Sequence, residues 1–279
     1  MAASVLEAPE LAAERIDARA AGENFPVVSF LAPRWARPHL RAIYGFARLV
    51  DNLGDEAAGD RSAFLDELER ELVGPPRSEI MRRLHETIAA RALPREPFAR
   101  LIEANRIDQV KKRYETWDEV KEYCTYSADP VGRLVLGVYG QAEEPELMAL
   151  SDSVCTGLQL VNFLQDPPRD FALGRVYLPQ ESLRRFDVSD DDLAGPLTEP
   201  VAGLLRFEAQ RARGLLEAGL ALAPRLGGRP GMSVALYARG GLAALDALER
   251  AGWDVFSRRP APTRWTFLRL GLRELIRRR

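Results

Sequence analysis

Apolar residues recur three and four positions apart along nearly the whole chain, whereas period-two runs rich in valine, isoleucine and threonine are scarce. The pattern predicts an all-α protein with helices at about 35–53, 60–73, 77–91, 96–112, 117–139, 144–166, 199–223, 232–251 and 262–277. Pro33, Pro94, Pro145, Pro179, Pro196, Pro224 and Pro260 fall at or between the ends of these segments, where a residue lacking an N–H interrupts no helical ladder. The longest interval, about 171–198, carries Gly174, Pro179 and Pro196 and is long enough to be a functional loop. No repeat or interdomain linker breaks the pattern, which points to one large domain.

Two of the apolar helices are interrupted by polar rows. In GLQLVNFLQDPPRDFALGRVYLP, Gln159, Asn162, Asp166 and Asp170 share one helical face amid Leu158, Leu160, Val161 and Leu164. In YGFARLVDNLGDE, Tyr44, Arg48, Asp51 and Asp55 do the same. A carboxylate inside an apolar helix is costly unless something cationic meets it. A single Asp-x-x-x-Asp says little, and this chain contains a decoy. Asp187 and Asp191 have the same spacing, yet Ser189 and the acids after it read as an N-cap and a dipole-stabilising first turn. Two such rows in two apolar helices suggest a magnesium and diphosphate site, because Mg²⁺ takes oxygen ligands from one or two carboxylates plus substrate phosphate. Arg48, Arg175 and Tyr177 can add donors to the same anion.

Composition narrows the picture. A formal net charge of −2 argues against nucleic acid as a partner. Cys124 and Cys155 have no paired framework and read as inert core thiols in a reducing compartment, so a cytoplasmic location is expected. The N-terminus lacks the layout of a secretory signal, and no apolar run approaches bilayer-spanning length, so the expected protein is soluble or peripheral. From Arg258 to Arg279 there are eight arginines against the single acid Glu274. That tail reads either as a terminal core helix with a basic end or as a contact with anionic lipid at the inner face of the membrane, with Trp265, Phe267 and Leu268 dipping in. His39 and His85 are isolated and read as structural. The sequence leaves the oligomeric state open.

The segments YGFARLVDNLGDE and NFLQDPPRDFALGRVYLPQ resemble the two aspartate-rich regions of the squalene and phytoene synthase family, the head-to-head branch of the isoprenoid synthases. The resemblance runs from Glu23 to Phe256 and includes RYETWDEVKEYCTYSADPVGRLVLGVYG and YARGGLAALDALERAGWDVFSRRP. Within the family, ENFPVVSFLAPRWARPHLRAIYGFAR and YSADPVGRLVL are most similar to the hydroxysqualene synthase branch of bacterial hopanoid operons. The resemblance implies an isoprenoid synthase fold, a single helical bundle around a central cavity. Residues 23–260 would form that domain, with 1–22 as an N-terminal extension and 261–279 as a basic helix packed on it or trailing from it.

It also implies Mg²⁺-dependent conversion of presqualene diphosphate and water to hydroxysqualene and diphosphate, with roughly two or three ions bound and no NADPH. Competing readings are a squalene synthase joining two farnesyl diphosphates with NADPH, a phytoene synthase-like condensation, and a non-catalytic member acting as an assembly protein. Carried over, Asp51, Asp55, Asp166 and Asp170 match the metal-binding aspartates, with Gln159, Asn162 and Gln165 beside them. Arg48 and Arg175 match diphosphate-contacting arginines, and Tyr44, Tyr123, Tyr177 and Tyr237 match groups lining the cavity.

Two departures stand out. Position 52 is Asn52 where relatives often carry a second aspartate, which leaves the outer pair Asp51 and Asp55. Pro167-Pro168 directly after Asp166 should end or kink the helix there, with Asp170 re-aimed yet still reaching the cavity.

Overall fold

The computed structural model describes residues 32–263, 265–267 and 269–271. Its helices are α1 Arg37–Asp51, α2 Arg61–Val73, α3 Glu79–Arg91, α4 Glu96–Val110, α5 Trp117–Ser127, α6 Asp129–Val138, α7 Pro145–Gln165, α8 Pro167–Ala172, α9 Gln180–Arg185, α10 Asp190–Ala194, α11 Glu199–Gly219, α12 Leu222–Leu226 and α13 Gly228–Arg250. A π-helical turn, Asn52–Glu56, follows α1. Among the described residues there is no strand, only an isolated parallel bridge between Arg113 and Val176.

Local chemistry explains most of the boundaries. Ser78, Thr116 and Thr198 cap α3, α5 and α11 with side-chain oxygens, and Ser189 forms a reciprocal capping box with Asp192 on α10. The acids after Ser189 therefore serve a helix start, as the decoy reading expects. Where the sequence suggests one helix over 117–139, the chain breaks at Ala128, because Pro130 cannot donate into the ladder and takes the first turn of a new helix. The helix expected at 199–223 likewise stops at Gly219, with α12 following as a separate short helix. The long interval after residue 171 contains α9 and α10.

Two cores organise the bundle. The larger gathers α7 with α11 and α13, the smaller gathers α1 with α3 and the first half of α4, and α6 contributes to both. Half-buried Ala47, Val131 and Val135 pack on the smaller core, and Leu158 and Tyr237 on the larger. Close approach at the crossings needs small residues, since a Cβ at Gly157 would lie 2.8 Å from Leu216 Cγ of α11. By length and composition α7 could cross a membrane, which the sequence reading did not expect, yet its ridge is packed into the bundle. Cys124 is buried as expected, whereas Cys155 is only half-buried. His39 hydrogen-bonds Thr87 and His85 the carbonyl of Glu71, both in helix packing.

The described part of the tail is helical at 265–267 and 269–271. Phe267 and Leu270 pack on Met232 and Leu236 of α13, so Phe267 is committed to the protein rather than open to lipid. Trp265 is 73% exposed. Leu268, residues 272–279 and the extension 1–22 lie outside the described residues.

Asp129 at the start of α6 is buried and accepts from Thr156 Oγ1 at 2.8 Å. Burial, then the negative charge of Asp152, push its carboxyl up to about 7. A carboxyl raised in the folded state costs stability as it ionises, so the fold weakens as pH climbs from the unfolded value towards neutrality. Asp129→Asn keeps an acceptor for Thr156 and removes the charge. Between about pH 5 and pH 8 the parent should lose about 2 kcal/mol relative to this variant. Chemical denaturation at both pH values checks this, and parallel pH profiles would contradict it.

Candidate functional site

The first acidic row ends in the π turn rather than in regular helix. Gly54 approaches α4 so closely that a Cβ there would lie 2.0 Å from Asn105 Oδ1. Gln109 Nε2 donates to the Gly54 carbonyl at 3.0 Å, pinning the turn to α4. The wider turn re-aims Asp55 away from the regular-helix position expected beside Asp51. Asp55 Oδ1 accepts from Arg175 Nη1 at 2.7 Å, while Asp51, one turn earlier and exposed, pairs with Arg48 at 3.6 Å.

Arg175 is the hub. It is only 7% exposed, and its cation faces Asp55, Asp108 and the Tyr177 hydroxyl. Asp108, 6% exposed, accepts from Tyr123 Oη at 2.6 Å and from Tyr177 Oη at 2.9 Å. Burial pushes its carboxyl above the usual range, opposed by the Tyr123 hydrogen bond and the Arg175 charge. Tyr177 stacks on Phe163 at 4.2 Å and on Tyr123 at 5.5 Å, with Tyr114 completing an aromatic box. Asp108, Tyr114 and Phe163 were not anticipated from the sequence. Asp108 carried one signal: it continues the apolar stripe of Leu101 and Ala104 on α4 as a lone acid.

The second row breaks where the prolines require. α7 stops at Gln165, Asp166 leaves helical geometry at φ −118°, and α8 restarts at Pro167. Asp166 is gripped at both oxygens by Arg259, Nε at 2.6 Å and Nη2 at 2.7 Å. Asp170 is half-buried, and the charges of Asp166, Arg169, Arg175 and Asp108 act on its carboxyl. Its carbonyl accepts from the Arg175 N–H at 2.8 Å, which ties the acid to the hub. Gln159 and Asn162 lie half-exposed on α7 on the face leading to Asp166. Gln165, expected beside the aspartates, is instead buried with its Nε2 donating to the Pro260 carbonyl. Tyr44 is buried in the smaller core and Tyr237 half-buried against the larger one.

Among the described residues no three His, Cys, Asp or Glu side chains converge as a ready-made metal cage. The donor chemistry still fits Mg²⁺, which binds through one or two carboxylates and takes its remaining oxygens from substrate and water. Each row offers acids already matched to cations, Arg48 and Arg175 on one side and Arg259 on the other. Among the described residues Asp170 has no such ion pair at hydrogen-bonding distance, and burial followed by the charge of Asp166 pushes it up to about 7. A divalent ion would have to displace that proton, so Mn²⁺ affinity in the absence of substrate should rise about tenfold from about pH 6 to about pH 8. Asp170→Asn should flatten this dependence; an unchanged slope in the variant would assign it to another group.

The architecture is the helical fold of the isoprenoid synthases. A family model described as squalene/phytoene synthase matches residues 18–266, and the chain belongs to that family. It is 39% identical over 215 residues to a hydroxysqualene synthase of Sinorhizobium fredii, covering 75% of this chain and 73% of that one. It is 32% identical over 290 residues to a 15-cis-phytoene synthase of Synechocystis, covering 95% and 85%. The crystal structure of squalene synthase HpnC from Alicyclobacillus acidocaldarius superposes with a TM-score of 0.78 at 44% identity, covering 87% of this chain and 94% of that one.

Proposed function

We propose that this chain converts presqualene diphosphate and water to hydroxysqualene and diphosphate. The observation that carries the reading is buried Arg175, paired with Asp55 of the first row and bonded through its backbone N–H to the Asp170 carbonyl of the second, next to an aromatic box in a chain related to hydroxysqualene synthases. Asp51, Asp55, Asp166 and Asp170 would hold Mg²⁺, which when bound would supply Lewis acidity to the leaving diphosphate. Arg48 and Arg175 hold diphosphate oxygens, with Gln159 and Asn162 contributing amides at the same end. Tyr44, Tyr123, Tyr177 and Tyr237 shield the carbocation left after C–O cleavage. Asp108 fixes the Tyr123 and Tyr177 hydroxyls so that their rings present a constant face. One water then adds to the rearranged cation, and its proton goes to the released diphosphate. Exposed Trp265 beside a basic tail supports a peripheral lipid contact for so insoluble a product.

A second reading, head-to-head condensation of two prenyl diphosphates, is favoured by the near full-length match to phytoene synthases. Incubating the purified protein with presqualene diphosphate and Mg²⁺, without NADPH, separates the two. Hydroxysqualene is expected; turnover of farnesyl diphosphate alone, or squalene only on adding NADPH, would overturn the reading.

A further inference from the structure

The far end of the chain reaches back to the second acidic row. After α13, residues 257–263 cross the end of α7, where two neighbouring residues hold two neighbouring residues of the crossing segment. Arg259 forks both oxygens of Asp166, and Gln165, only 2% exposed, donates from Nε2 to the Pro260 carbonyl at 2.6 Å. The two anchors differ in kind. The glutamine contact is buried, whereas the Arg259 and Asp166 side chains are 47% and 15% exposed, so the ion pair can open without unpacking the core.

The first row has two acid–arginine contacts, a loose one between Arg48 and Asp51 at 3.6 Å and the buried one between Arg175 and Asp55, and the second is different again. Arg175 is buried, touches one oxygen of Asp55 and is hemmed in by Asp108 and Tyr177, so it stays when an ion arrives. Arg259 occupies both oxygens of its acid from the exposed stretch 257–259, just before Pro260 and Pro262 tuck into the protein. A guanidinium and a divalent ion on one carboxylate repel each other.

We infer that residues 257–263 form a latch, in which Arg259 is the cation that Asp166 keeps until a divalent ion takes its place. Metal loading exchanges the two and frees the segment on its Gln165 anchor. Arg259 is thus a positioning residue, holding the Asp166 carboxylate aimed and charge-balanced before the metal binds. The inference rests on the proposed metal role of Asp166.

The test uses the full chain with Mn²⁺ alone, counting bound ion by its paramagnetic signal and following amide exchange across 257–263 by mass spectrometry. Arg259→Gln should bind Mn²⁺ about fivefold tighter than the parent, because the competing cation is gone. Its segment should exchange rapidly with or without Mn²⁺, whereas in the parent exchange should quicken only on adding the ion. Arg259→Lys, which keeps the charge but not the fork, should fall between them. Equal or weaker Mn²⁺ binding in Arg259→Gln, or a parent segment indifferent to Mn²⁺, would overturn the latch. Asp166→Asn separates the two claims. If it loses Mn²⁺ while Arg259→Gln is unchanged, the latch alone falls; if it binds Mn²⁺ like the parent, the metal reading falls with it.

Discussion

Replacing Asp166 by asparagine is expected to lower turnover about a thousandfold while leaving the fold intact. The substitution keeps the shape at the end of α7 and removes one of the two charges in the second row. Lewis-acid stabilisation of a departing diphosphate is worth several kcal/mol, and each 1.4 kcal/mol is about a tenfold change in rate. The accompanying loss of the Arg259 pair is small, since a partly exposed ion pair contributes at most about 1 kcal/mol. Initial rates measured beside thermal melting decide the matter. A variant within about tenfold of the parent would remove Asp166 from the metal set.

Asp108→Ala should have the largest effect on stability. It strips the acceptor from two buried tyrosine hydroxyls and removes a negative charge facing Arg175. Each stranded hydroxyl costs about 1–3 kcal/mol, partly offset because the buried carboxylate no longer has to be desolvated. The net loss should be about 3 kcal/mol, a fall of about 5 °C in melting temperature for a chain of this size. Asp108→Asn keeps an acceptor for one hydroxyl and should fall less. An Asp108→Ala protein that melts with the parent would mean that the tyrosines find other partners.

These two residues show what was legible in the sequence. Asp166 could be read because it breaks an apolar helix together with Gln159, Asn162 and Asp170, and because a second such row exists. Asp108 is more deeply buried than Asp166 and has only the amide Asn105 three positions before it, so its place on the stripe of Leu101 and Ala104 was the mark it carried. Asp55 could be picked out as a candidate while its setting could not, since a π turn depends on Gly54 meeting Asn105 of another helix. Arg259 lies 93 residues from the acid it holds, beyond any local pattern. The helices themselves were legible because the 3.6-residue period persists wherever a helix buries one face. The break at Ala128 was missed because the apolar pattern runs on through Pro130, whose missing donor ends the helix regardless.

The central claim is that the C–O bond to diphosphate breaks between the acidic rows and that water then captures carbon. Turnover of presqualene diphosphate in water enriched in oxygen-18, followed by mass spectrometry of both products, tests it most directly. The heavy isotope should appear in the hydroxyl of the C30 alcohol and be absent from the released diphosphate. Label in the diphosphate with an unlabelled alcohol would show attack at phosphorus and contradict the account.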